Sequence, residues 1–243
     1  MANIEIYKNP DQLARAAADL FKQKAAAANG RFTVALAGGS TPIPFYKLLA
    51  TDAYAAQIDW NGVHVFFGDE RVVPQNHEDS NYAAIQSVFL SQVPIPLENV
   101  HRIKGELDAE AAAKDYGERL QRFFEGGPPA FDLNIIGMGT DGHTLSLFPG
   151  KSEALHERKH RVVATSHPNH KHPRVTLTAW AANTSEHIVS LVRGAKKAAV
   201  LKAVLEGSHQ PQKYPIQLIQ PTSGQLTWML DQSVAAQLRN TSP

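Results

Sequence analysis

Short apolar runs alternate with amphipathic stretches along the whole chain. A short strand at the start leads into residues 11–28 (DQLARAAADLFKQKAAAA), which are rich in Ala with Leu13, Leu20 and Phe21 near helical spacing. Asn29-Gly30 ends that helix, because Gly takes the left-handed C-terminal position without strain. The run Phe32-Thr33-Val34-Ala35-Leu36-Ala37 reads as a strand opening into Gly38-Gly39-Ser40-Thr41-Pro42, and Pro42 suits the first turn of a helix through Leu48 and Leu49. The same order recurs at Val63–Phe67, followed by Gly68-Asp69-Glu70-Arg71, and at 131–136, followed by Gly137-Met138-Gly139. Further strands are predicted at 161–165, 175–178, 187–192 and 215–219, and helices over 79–91, 108–125, 195–206 and 223–237. Strands alternating with helices predict an α/β fold with an open, mainly parallel Rossmann-like sheet and helices on both faces. No repeat, linker or composition break divides the chain, and Gly126-Gly127-Pro128-Pro129 sits directly before a strand, so residues 1–243 are expected to form one domain.

Composition narrows the classes of function. Of 243 residues, 43% are hydrophobic and 19% charged, a globular balance in a chain long enough to bury a core without disulfide or metal. Lys plus Arg is 24 against 23 for Asp plus Glu, a net charge of +1, and this even balance predicts no nucleic-acid partner. The absence of cysteine removes thiol catalysis, iron–sulfur clusters and Cys-based zinc sites. The start, MANIEIYKNPDQ, lacks the pattern of a signal peptide, and no apolar run reaches ~18 residues. A cytoplasmic protein with no membrane partner is expected.

Ligands of open α/β sheets sit outside the carboxyl ends of the strands, and three strand ends here carry loops richer in Gly and polar groups than a turn requires. In the first, Gly38 and Gly39 let the backbone approach an anion, Ser40 and Thr41 add hydroxyl donors, and a helix N-terminus follows. This is a phosphate cradle or a tight turn with a Ser/Thr cap; it is not a Walker loop, since no Gly-Lys-Ser/Thr follows. The second loop sets Asp69, Glu70 and Arg71 directly after an apolar strand, where Arg71 suits a phosphate or carboxylate and Asp69 a substrate contact. A solvated ion-pair cluster fits these charges as well, and Asp79 or Ser80 suits a cap for the next helix. The third, Gly137-Met138-Gly139-Thr140-Asp141-Gly142-His143, matches G-x-G-x-x-G, but Pro149-Gly150 stops any long helix and the next strand ends without the carboxylate a dinucleotide site requires. What remains is a loop presenting Asp141 and His143, a candidate general base with a neighbouring acid.

The other histidines point away from metal. His167, His170 and His172 lie in HPNHKHP, with two prolines, no neighbouring carboxylate and no helical pair, and His156 and His160 lie in a charged stretch that reads as a solvated face. No metal and no cofactor are expected. Arg174 before the strand at 175–178, and Lys196-Lys197 after Gly194, are basic groups suited to completing an anion site. A serine nucleophile is disfavoured, because Gly38-Gly39-Ser40-Thr41-Pro42 lacks the final glycine of G-x-S-x-G.

Taken in order, LAGGSTP (36–42), FFGDERVVP (66–74) with DSNY (79–82), FDLNIIGMGTDGHTLSLFP (131–149), RVTLT (174–178), GAKK (194–197) and PIQLIQPTSGQLTWMLD (215–231) resemble the 6-phosphogluconolactonase family, within the wider group that includes glucosamine-6-phosphate deaminases. The resemblance implies that Gly38, Gly39, Ser40 and Thr41 hold a substrate phosphate with Arg174 and Lys197. It implies that His143 is the general base for water, with Arg71 near the substrate. The family often carries a lysine five residues before the matching arginine; here Asn169 stands there, with Lys171 close by. Similar deaminases continue after D-G-H to an acid that takes part in ring opening, and Phe148 occupies that place. The expected reaction is hydrolysis of 6-phospho-D-glucono-1,5-lactone, in the oxidative pentose phosphate pathway, with a sugar-phosphate lactone as partner, no covalent intermediate, and a monomeric enzyme, a weak dimer being the alternative. In that reading Asp141 either sets the imidazole tautomer of His143 or only shapes the turn. The alternatives are a deaminase or isomerase on the same fold and a non-catalytic sugar-phosphate sensor.

Overall fold

The computed structural model describes residues 3–150, 153–167, 169 and 171–239. Its strands are β1 (Asn3–Tyr7), β2 (Phe32–Leu36), β3 (Val63–Phe67), β4 (Asp69–Arg71), β5 (Val100–His101), β6 (Leu133–Gly137), β7 (Val162–Thr165), β8 (Arg174–Leu177), β9 (His187–Val192) and β10 (Gln225–Asp231). The helices are α1 (Pro10–Ala27), α2 (Ile43–Leu49), α3 (Asp52–Ala55), α4 (Asn81–Ile85), α5 (Ala109–Phe123), α6 (Ala179–Ala182), α7 (Ala198–Glu206) and α8 (Gln232–Ala235). Seven strands build one sheet in the order β1-β10-β9-β6-β2-β3-β5, with every pair parallel. The fold is thus α/β with a mainly parallel open sheet.

Period-two alternation divides the core between the sheet's two faces. In β9, Val189 and Leu191 pack with α1, α2 and α5, whereas Ile188 and Val192 pack with α7 and α8. Met229 and its neighbours Trp228 and Leu230 in β10 separate in the same way. Strands covered on both sides become continuous apolar runs, which explains the composition of FTVAL and HIVSLV.

Several elements depart from the sequence pattern. The helix expected over 223–237 is strand β10 followed by the four-residue α8; LTWML is apolar on both faces because the strand lies between β1 and β9. The strand expected at 215–219 is a 3₁₀ turn over Pro215–Leu218, which buries Ile216 and Ile219 at the i, i+3 spacing of that helix. Pro42 is the N-cap of α2 rather than part of its first turn, and Pro44 supplies the proline there. The Asp69–Arg71 segment, expected as loop, is β4 of a second sheet, β4-β8-β7, in which both pairs are antiparallel. α4 begins where expected and continues as a π turn, Gln86–Leu90.

Chain order reverses at one point in the large sheet. From β2 the chain adds β3 and β5 on one side, then returns to place β6, β9 and β10 on the other. The carboxyl ends of β2 and β6 therefore stand side by side at a topological switch point, where open α/β sheets form their ligand crevices.

One edge of this sheet carries a pH-sensitive element. His101 of β5 is 8% exposed, stacks on Phe66 with ring centroids 4.3 Å apart, and approaches His64 with His101 Nε2 3.3 Å from His64 Nδ1. Burial, then the neighbouring charges of His64 and Arg119, lower its pKa to about 4. The unfolded chain takes up this proton near pH 6.5 and the folded chain does not until about 4, so stability falls as pH drops through that interval. The expected loss is about 2–3 kcal/mol, read from urea midpoints across the range. His101→Phe should flatten the profile.

Candidate active site

The switch point opens into a cleft of ≈ 280 Å³. One wall is the loop leaving β2, Ala37 to Pro42, and the facing wall is the end of β6 and the loop that leaves it, Ile136 to Gly139, with His143, Thr144 and Leu145. Asp69, Arg71, Asn81 and Lys197 close the ends. Gly38, Gly39, Ser40, Thr41, Asp69, Arg71, His143 and Lys197, drawn from four separate segments, thus share one cavity. Among the described residues, no helix is long and apolar enough to cross a membrane.

The loop after β2 is shaped by close approach. Gly39 has φ +84°, and at Gly38 a Cβ would overlap the Asn81 side chain. The buried hydroxyl of Tyr46 donates to Ala37 O at 2.7 Å, and Arg193 Nη2 donates to Ser40 O at 2.9 Å, so the loop is held from both sides. Lys197 is half-buried at the start of α7, and burial followed by the charge of Arg193 pulls its ammonium below the usual lysine range. An anion in the cleft offsets both effects. Lys196 is exposed and Lys171 is exposed, and neither lines the cavity.

Glu70 organises the far end. Only 2% exposed, its carboxylate accepts from the backbone N–H of Arg71 (2.8 Å), Asn81 (2.7 Å) and Tyr82 (2.8 Å) and from Ser80 Oγ (3.0 Å). Burial pushes this carboxyl above its usual range, and the three N–H groups act against that rise. With the Asn81 side chain also bonded to Asp69 O (3.0 Å), β4 is stitched to the start of α4. Arg71 is oriented by the result: its Nη1 donates to Asp79 O at 2.6 Å and to Asn81 Oδ1 at 3.2 Å. Ser80 is the cap of α4, accepting from Ala83 N at 3.1 Å. Asp69 Oδ2 accepts from Ser146 Oγ at 2.6 Å, which fastens this end of the cleft to the His143 loop.

In the third loop, the imidazole Nδ1 of His143 lies 2.6 Å from Asp141 Oδ1, which also accepts from His143 N at 3.1 Å. Burial alone would raise the Asp141 carboxyl, but the hydrogen bond and charge of the His143 ring, with the backbone donor, outweigh it and hold the group at about 2. An ionised carboxylate accepts only, so Nδ1 carries the proton and the lone pair of a neutral ring sits on Nε2. Asp141 lies outside the cavity lining and acts on it through His143. Gly139 lies beneath the pair, where a Cβ would overlap the imidazole and the Asp141 carboxylate. The buried ring of Phe148 packs against His143, with centroids 5.2 Å apart, and His167 packs on Phe148 at 5.2 Å.

Arg174 does not line the cleft. It is buried in β8 directly opposite Arg71 in the β4–β8 register, where burial and then the Arg71 charge lower its pKa. His160 pairs with Glu157 on an exposed face, as its charged surroundings imply, and His170 lies outside the described residues. Asn81, Arg193 and Thr144, which line or brace the cleft, escape sequence reasoning. Arg193 reaches Ser40 from far along the chain, whereas Thr144 bonds Gly137 O within its own loop and Asn81 bonds Asp69 and Glu70 across the preceding turn, contacts that no local spacing announces.

Comparison with known proteins places this cavity in context. Residues 8–228 match the family model described as glucosamine-6-phosphate isomerases/6-phosphogluconolactonase. A 6-phosphogluconolactonase from Nostoc sp. is 41% identical over 86% of this chain and 85% of its own length. The solved structure of 6-phosphogluconolactonase from Trypanosoma brucei matches with a TM-score of 0.84 at 28% identity, covering 97% of this chain and 98% of that one. A monomeric glucosamine-6-phosphate deaminase shares the fold, with a TM-score of 0.82 at 18% identity over 96% of this chain and 99% of that one.

Proposed function

Since the chain belongs to the glucosamine-6-phosphate isomerase/6-phosphogluconolactonase family, we propose that it is a hydrolase converting 6-phospho-D-glucono-1,5-lactone to 6-phospho-D-gluconate. The observation that carries this reading is the His143–Asp141 pair at 2.6 Å, set across one cleft from the Gly38–Thr41 loop and Lys197.

The phosphate is held by the loop amides and hydroxyls of Gly38, Gly39, Ser40 and Thr41 and by the Lys197 ammonium. That anchor sets the lactone carbonyl against His143. Nε2 of His143 takes a proton from water as the oxygen attacks the carbonyl carbon, and Asp141 stabilises the imidazolium that forms. Arg71, fixed by Asp79 O and Asn81, faces the oxyanion of the tetrahedral intermediate; Asp69 binds substrate hydroxyls. Arg174, opposite Arg71 on the adjacent strand, adds positive charge behind this end of the cleft. The intermediate collapses by breaking the bond to the ring oxygen, which takes the proton back from His143. No covalent enzyme intermediate forms. In this reading the enzyme belongs to the oxidative pentose phosphate pathway and acts as a monomer.

A deaminase needs an acid beside the histidine for ring opening, and Phe148 fills that space with an apolar ring. The test is a paired assay. Lactone hydrolysis above the spontaneous rate, with no ammonia from glucosamine 6-phosphate, is the expected result; ammonia release would overturn the assignment. Lys197→Ala is expected to raise KM for the phosphorylated lactone about 10–100-fold, the weight of a charge-assisted hydrogen bond, with a much smaller change in kcat. Steady-state kinetics separate the two parameters.

A further inference from the structure

Beside the cleft, three side chains from distant segments meet. His77 and Asp79 lie in the turn after β4, and His172 lies just before β8. His172 Nε2 is 3.1 Å from Asp79 Oδ2, and His77 Nδ1 is 3.9 Å from the same oxygen. One potential ligand atom from each residue lies within 4.8 Å of the other two, and all three residues are half-buried. The imidazoles stand edge to face with centroids 5.5 Å apart.

Two imidazoles and one carboxylate are a donor set of zinc-class divalent ions. Ligand atoms at ~2.0–2.1 Å from a tetrahedral ion stand roughly 3.3 Å from one another. The His172–Asp79 separation already suits two ligands of one ion, and a small rotation of His77 brings in the third. We infer that His77, Asp79 and His172 form a binding site for a zinc-class divalent metal ion, with water completing the coordination. This reverses the expectation that HPNHKHP lacks a carboxylate: Asp79 supplies one from 93 residues earlier in the chain.

Binding exchanges two hydrogen bonds for metal bonds. The contact between His172 Nε2 and Asp79 Oδ2 gives way, with the Nε2 proton moving to Nδ1 or to solvent, and His77 Nδ1 releases Asp79 N, now at 3.0 Å. Arg71, Lys171 and Arg174 lie close by and oppose a dication, whereas Asp69 and Glu70 favour it. The site therefore suits an exchangeable ion. Its position makes it a clamp rather than a reaction centre, because it ties the turn whose Asp79 carbonyl holds Arg71 to the strand that carries Arg174.

The test titrates the metal-stripped full chain with Co²⁺, followed by its visible d–d absorption, and then with Zn²⁺ by calorimetry. One equivalent of each is expected, with Zn²⁺ displacing Co²⁺ and raising Tm. His172→Ala and Asp79→Asn should each weaken binding by more than the ~10–100-fold associated with an outer hydrogen-bond partner of a ligand, while His143→Ala retains full affinity. Apo melting curves establish that each variant folds, and Asp79→Asn, which keeps the side-chain shape, decides the matter should His172→Ala fold poorly. Failure of the unaltered chain to bind, binding that survives both substitutions, or binding lost in His143→Ala would overturn the assignment.

Discussion

Replacing His143 with alanine is expected to lower kcat for lactone hydrolysis by ~10²–10⁴-fold, the usual contribution of a positioned general base. The loss belongs in kcat because the phosphate anchor, Gly38 to Thr41 with Lys197, is untouched. The fold should survive, since the imidazole is half-buried at the cleft and its removal leaves an ionised Asp141 near solvent. Asp141→Asn tests the orienting role separately. An amide also donates, so it favours the wrong tautomer, and its activity should fall between wild type and His143→Ala. Near-parental turnover in His143→Ala would place the base elsewhere.

The second large effect is on stability. Glu70→Ala should cost about 3–5 kcal/mol and lower Tm by ~10 °C or more, because it strands the N–H groups of Arg71, Asn81 and Tyr82 and the Ser80 hydroxyl in a buried site. Each unsatisfied donor costs about 1–3 kcal/mol alone, and entry of water keeps the sum below simple addition. Activity should fall with stability even at temperatures where the variant is fully folded. The same carboxylate places Asn81 under Gly38 and, through Asn81 and the Asp79 carbonyl, aims Arg71. Glu70→Gln keeps one acceptor oxygen and the volume, and should lose less of both. Thermal melts and kcat/KM read the two effects, and a Tm within about 2 °C of the parent would show that water already satisfies these donors.

Glu70 also shows where the sequence was legible and where it was not. Three consecutive charges after an apolar strand suggested substrate contacts, yet the middle one is a buried structural acceptor and only its neighbours face the cleft. Strands β2, β3 and β9 were readable because their apolar runs end in Gly or charge, and the loops after β2 and β6 were readable because close backbone approach leaves glycine no substitute. Strand β10 was not, since a run with apolar residues on both faces, broken only by Thr227, has no clear period to separate strand from helix. The small antiparallel sheet escaped notice because β4 is three polar residues whose partner lies about a hundred positions on. The same distance hid Arg174 behind Arg71, Arg193 on Ser40 and Asp79 beside His172. Local pattern carries the chemistry of each loop; only tertiary pairing shows which groups reach the cavity and which brace it.

The most direct measurement follows 6-phosphogluconate formation from freshly generated 6-phospho-D-glucono-1,5-lactone, with glucono-1,5-lactone lacking the phosphate as the comparison. The expected result is hydrolysis of the phosphorylated lactone far above its spontaneous rate, and a much weaker acceleration of the unphosphorylated one. Tight binding of 6-phosphogluconate with no acceleration of either lactone would contradict the account, and would make the cleft a sensor of sugar phosphates instead of a catalyst.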